Sequence, residues 1–370
     1  MHQDSFYEAF RRKKQCLSVT YNGLDDVKNG FDVEVWRGDG WHKMPSQQEK
    51  LQEADDNIPQ EENEEDIPNA KGDGEYIECL IVCCKSSVTE KAIKGVSHRL
   101  NSNSTILLVQ NGLGVIEKLN ETVFPDEKTR PHYMQGVFSH ALTRRDSFQV
   151  SHMNVGSLIL CPTVTDQTPL IDAEHDTHWA PTTKYLLRLL TLTPSLVAAA
   201  DTPAGLLQYQ LERLAVFSII SPLTALFNCK NGELLYNFSC TRIIRLLLFE
   251  ISSVICALPE LRGVPGIEDR FSPERLRRQL TTAASLSAKA GSAMLQDIKD
   301  QRLPDIDFLN GWIIKRGEEI GIKCVLNYMI KNMIHAKLAI IQRQNTSAVP
   351  FDFDNTLISG NSKGDKGEDA

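Results

Sequence analysis

Residues 76–84 read YIECLIVCC and residues 104–114 read STILLVQNGLG, and these two stretches decide the fold. Each is a nearly unbroken apolar run, the pattern of a strand buried on both faces of a parallel sheet. Between them Ser87–Leu100 has helical spacing, and after Gly112-Leu113-Gly114 a further helix is expected over Val115–Leu119. Strand, helix, strand, glycine-rich turn and helix in succession describe a right-handed βαβ sheet.

Working outward, His132–His140, Gln149–His152 and Ser157–Leu160 read as further strands. Ahead of the first run, the spacing predicts a helix over Ser5–Lys14 and strands over Leu17–Tyr21 and Phe31–Trp36, with turn chemistry at Asn22-Gly23 and Asn29-Gly30. From Asp201 the character changes. Helical patterns run over Ala204–Phe227, Thr241–Leu258, Pro273–Lys299, Pro304–Ile320 and Cys324–Gln344. The expected organisation is a Rossmann-like α/β domain made of residues 1–43 and 75–200, followed by an all-α domain over 201–344. Residues 44–74 read as an acidic disordered insert, 162–181 as a loop and 345–370 as a disordered tail.

The chain has 370 residues and a formal net charge of −8. That charge is local. Between Met44 and Gly74 ten acids face only Lys50 and Lys71, so the rest of the chain is neutral on balance. No basic face is left to carry nucleic-acid binding. The apolar stretch around Leu214–Phe227 is broken by Ser218, Ser221, Pro222 and Thr224, so no membrane span is expected. The N-terminus, MHQDSFYEAFRRKKQ, has no apolar core of a secretory signal, which reads as a cytoplasmic protein. Nine cysteines without a CxxC pair read as reduced thiols, with no metal site expected. The sheet pattern suggests a dinucleotide-binding domain, yet no GxGxxG occurs anywhere in the chain.

Three segments carry a more specific signal: LLVQNGLG (107–114), LAVFSIISPLTALFNCKNGELL (214–235) and SAMLQDIKDQRLPDIDFLNGWIIKRGEEIGI (292–322). With P-L-T-A, C-x-N-G-E-L, M-L-Q-D-I and I-D-F-x-N-G in order, the chain resembles the ketopantoate reductase family. The resemblance implies an N-terminal Rossmann domain, a helical C-terminal domain and a cleft between them. The implied reaction is the NADPH-dependent reduction of 2-dehydropantoate to (R)-pantoate, on the way to pantothenate and coenzyme A. It admits a homodimer and calls for no nucleic acid and no membrane.

Residue by residue, the resemblance places the proton-donating lysine at Arg213 and a carboxylate at Asp305, where the family has glutamate. Substrate-binding positions fall on Phe217, Ser221, Asn231, Ser292 and Ala293, and cofactor-binding positions on Lys85, Asn111, Gly112 and Ala141. The spacing 213, 217, 221 puts three of these on one helix face. Arginine is a poor proton donor, and Phe217 and Ser221 replace family asparagines. His140 and His152 read as structural. The family's opening strand, glycine loop and helix are expected ahead of His2, so the chain reads as a truncated member. A mitochondrial location would follow if an N-terminal extension precedes it.

Each position has a plainer reading: Arg213 as a snorkelling or ion-paired arginine, Asp305 as a first-turn cap, Lys85 as a surface lysine. Two functions follow. One is reduction of a 2-oxo acid; the other is a non-catalytic relative with a binding role, which the changes at Arg213, Phe217 and Ala293 favour.

Overall fold

The computed structural model describes residues 2–36, 41–44, 74–163 and 179–347. The acidic insert, most of the 162–181 loop and the tail beyond Ser347 lie outside the described residues.

Helix α1 (His2–Arg12) leads into β1 (Leu17–Tyr21) and β2 (Leu24–Lys28), then the hairpin β3 (Val33–Trp36) and β4 (Trp41–Met44). The central sheet begins with β5 (Cys79–Val82), α2 (Ser86–Val96), β6 (Thr105–Leu108), α3 (Val115–Thr122) and β7 (His132–Phe138). β8 (Ala141–Asp146), β9 (Gln149–Asn154) and β10 (Leu158–Pro162) follow, then α4 (Pro181–Thr191) and β11 (Ala198–Ala200).

The five-stranded sheet has the order β11-β10-β7-β6-β5, and β5, β6 and β7 run parallel. β6 fits the sequence reading, with all four residues buried. β5 does not. It is the edge strand, pairs only with β6 among the described residues, and leaves Ile81 47% exposed. Its apolar run is therefore half-buried rather than covered on both faces. A second sheet, β2-β1-β9-β8, brings β1 parallel to β9. Four strands were not legible: β2, β4, β8 and β11. β2 and β8 are exposed at every position, so neither shows the alternation that marks a half-buried strand.

The helical part comprises α5 (Pro203–Phe227), α6 (Phe238–Cys256), α7 (Ile267–Arg270), α8 (Pro273–Leu286), α9 (Ala293–Lys299), α10 (Asn310–Glu319) and α11 (Val325–Ser347). α5 is its axis. Thr202 caps it by accepting the Gly205 N–H, Pro203 opens its first turn, and Asn228 in the left-handed region ends it. It runs through Pro222 and is apolar on nearly all sides, long enough by composition to cross a bilayer. Here most of it is buried within the protein, with Leu211, Leu214, Ala215 and Ile219 fully enclosed.

Two expected helices are divided. The reading of one helix over Pro273–Lys299 is corrected to α8 and α9, because backbone N–H groups of Asn231 and Gly232 take the carbonyls of Ala290 and Ala288. The Pro304–Ile320 helix starts instead as a 3-10 turn, Asp305–Phe308, before α10. α11 continues to Ser347, past the expected start of the tail.

The 3-10 turn is tied to α11 through Asp307, whose Oδ1 lies 2.9 Å from Lys331 Nζ and 3.3 Å from His335 Nε2. Burial alone would raise the Asp307 carboxyl, but Lys331, with His335 behind it, holds it below the ordinary carboxylate value. A depressed folded value stabilises above the unfolded pKa, about 3.9, and that stabilisation is lost as pH falls through the folded value. Urea unfolding at two pH values checks this. Asp307→Asn should cost at most about 1 kcal/mol at pH 7, since the carboxylate is half-exposed, and the difference from wild type should vanish near pH 3.

Candidate active site

The carboxyl ends of β5, β6 and β7 open together on one side of the central sheet, which is where ligands bind in open α/β sheets. The chain leaves these ends through Cys83-Cys84-Lys85, Val109-Gln110-Asn111 and His140-Ala141-Leu142. All nine residues line a cavity of about 590 Å³. Its other wall is helical, made by Phe217, Ser221, Asn231, Ser292, Asp297 and Asp305 among others.

A polar seam closes the two halves on each other. Asp305 Oδ1 accepts the Ser87 N–H at 2.9 Å, and Phe308 O accepts the Leu113 N–H at 3.0 Å. Lys85 Nζ donates to Asp297 Oδ1, a carboxylate only 2% exposed that Arg302 Nε also approaches at 3.2 Å. Asp305 thus does act as a cap, but on the first turn of α2 in the other half of the molecule. A negative side chain is favoured there by the exposed N–H groups.

Of the expected cofactor residues, Lys85, Asn111 and Ala141 line the cavity, and Lys85 is ion-paired rather than a plain surface lysine. Gly112 is not in the cavity wall. A Cβ there would lie 2.6 Å from both Phe308 Cβ and Ser86 Oγ, so this glycine serves the close approach of the two halves.

Among the expected substrate residues, Phe217, Ser221, Asn231, Ser292 and Ala293 all reach the cavity. The Ser292 hydroxyl is already engaged. It accepts the Leu295 N–H at 3.0 Å as the cap of α9 and lies 2.7 Å from Thr224 Oγ1. Asn231 is different: its Nδ2 donates to Ser287 Oγ at 2.9 Å, while its Oδ1 is buried without any partner. An orphaned acceptor in a cavity wall costs free energy until a donor arrives.

Arg213 does not stand in the cavity wall. Its Nε donates to Asn111 Oδ1 at 2.9 Å and its Cζ lies 5.2 Å from the centre of the Phe217 ring. No carboxylate pairs with it among the described residues, and burial pulls its pKa down from the ordinary arginine value.

His140 and His152 hold the wall together. His140 Nε2 lies 2.8 Å from Leu196 O and must donate to it, leaving Nδ1 to accept the Gly156 N–H at 3.2 Å. His152 Nε2 is 3.0 Å from the same Nδ1. All nine cysteines are free; burial raises the thiols of Cys79 and Cys83, which favours the unreactive form.

Two models of one family match the chain: ketopantoate reductase PanE/ApbA over residues 24–163, and its C-terminal part over residues 206–338. A 2-dehydropantoate 2-reductase of Yersinia pestis is 30% identical over 268 residues, covering 72% of this chain and 76% of that one. The chain belongs to the ketopantoate reductase family. A probable 2-dehydropantoate 2-reductase of Schizosaccharomyces pombe is 27% identical over 71% of this chain and 75% of its own length. The family fold is also seen in a PanE/ApbA family ketopantoate reductase from Ralstonia eutropha, with a TM-score of 0.59 at 17% identity over 90% of this chain and 88% of that one. A D-mandelate dehydrogenase shares it at a TM-score of 0.56 and 18% identity, over 91% and 89% of the two chains.

Gly112→Ala should lower stability by about 1–3 kcal/mol, because the new methyl has to displace Phe308 or Ser86. The denaturant midpoint, together with faster proteolysis at the seam, measures the loss.

Proposed function

We propose that this chain reduces a small 2-oxo acid to the 2-hydroxy acid with a reduced nicotinamide dinucleotide, with NADPH and 2-dehydropantoate as the pair. The observation that carries the reading is the cavity itself. Three parallel strand ends, a lysine, an asparagine with free Nδ2 protons and the orphaned Asn231 Oδ1 converge on a space suited to a nicotinamide ring and a short acid.

The fit at the nicotinamide end is good. Lys85, Asn111 and Ala141 face the cavity, and with its Oδ1 taken by Arg213, Asn111 has its amide protons to offer a carboxamide. The bound cofactor supplies hydride to the ketone carbon. The chain's own residues orient the acid: Asn231 Oδ1 accepts from a substrate hydroxyl, and Phe217 packs on its apolar carbon atoms. A homodimer belongs to the same proposal, and a ketopantoate reductase of Staphylococcus aureus is described as dimeric.

A second reading, binding without turnover, has its own support. The position of the family lysine carries Arg213, whose guanidinium is engaged by Asn111 and Phe217 and is not among the residues lining the cavity.

Fluorescence titration with NADPH separates the two readings when followed by an assay with 2-dehydropantoate. Micromolar binding weakened about tenfold in Asn111→Ala, with steady turnover, is the expected result. Binding without oxidation of NADPH by any 2-oxo acid selects the second reading. A folded chain that binds neither NADPH nor NADH contradicts both.

A further inference from the structure

Reduction of a ketone needs a proton as well as a hydride, because hydride arrival at carbon leaves negative charge on the oxygen. Arg213 cannot supply it. A guanidinium does not give up its proton in a protein, and this one is outside the cavity wall.

The two carboxylates, the histidine and the Ser292 hydroxyl of the wall are committed. Asp305 accepts the Ser87 N–H, and Asp297 is occupied by Lys85 and Arg302. His140 donates from Nε2 to Leu196 O and accepts at Nδ1. The Ser292 hydroxyl serves the α9 cap. Burial pushes the Cys83 thiol up. Lys85 remains, the one lysine or arginine among the residues lining the cavity.

The geometry points to Lys85 as the proton donor of this site, with Asp297 as the residue that positions its ammonium. Lys85 is held at both ends. Its backbone caps α2, where its carbonyl accepts the Thr89 hydroxyl at 2.9 Å, and its Nζ is fixed on a buried carboxylate. An ammonium has three protons, and Asp297 Oδ1 takes one of them. The other two are available to a ligand oxygen.

The step balances. The C=O π bond breaks as carbon gains a hydride from the reduced nicotinamide and oxygen gains a proton from Nζ. The products are the 2-hydroxy acid, the oxidised nicotinamide and a neutral amine that regains its proton from water.

The assignment rests on the reduction proposed above, and Lys85→Gln and Lys85→Arg test it together. Arginine keeps the charge and can still pair with Asp297, but it is no proton donor. Both variants should fall about 10²–10⁴-fold in kcat measured at saturating NADPH, with the NADPH dissociation constant read separately by fluorescence. If Lys85→Arg keeps more than half of the wild-type kcat, or if the substitutions weaken NADPH binding and leave kcat at saturation unchanged, the assignment is overturned. If wild type binds NADPH but reduces no 2-oxo acid, the reduction itself is wrong and the assignment goes with it.

Discussion

Everything about this site depends on the contact of one 3-10 turn, Asp305–Phe308, with the strand-to-helix connections of the α/β half. The Asp305 carboxylate sits on the N–H of Ser87, where the first turn of α2 has donors to satisfy. Phe308 takes the Leu113 N–H through its carbonyl and packs against Gly112, which has to be glycine for the approach to be that close. One more interaction, Lys85 with Asp297, crosses the same seam. A buried carboxylate is costly unless paired, so Asp297 requires its two cations to stay in place. The cavity is the space this seam leaves open, which is why its walls are drawn from both halves.

The helical half was largely legible in the sequence because its axis, α5, has strong end signals at Thr202, Pro203 and Asn228. The division between α8 and α9 was not. Residues 287–292 read SAKAGS, so the break falls in small residues with Gly291 and the cap Ser292, and it is held by backbone hydrogen bonds from Asn231 and Gly232, some sixty residues earlier in the chain. β5 shows the converse. Its apolar residues suggested full burial, but strand order, which no local pattern encodes, made it an edge.

The site was readable only through the family motifs. Those motifs brought the right positions together: Asn111, Phe217, Ser221, Asn231, Ser292 and Asp305 share one cavity. They could not show that Arg213 turns onto Asn111 or that Lys85 meets Asp297, because both contacts join residues more than a hundred positions apart. In each case the deciding fact is tertiary. A replaced side chain keeps its place on the helix and changes its partner.

A crystal structure of the chain with NADP⁺ and a 2-hydroxy acid tests the central claim most directly. The account predicts the acid in the cavity between the two halves, its C2 oxygen within hydrogen-bond distance of Lys85 Nζ, and Arg213 still on Asn111. An acid whose C2 oxygen is held by Arg213, or one bound anywhere outside this cavity, would contradict it.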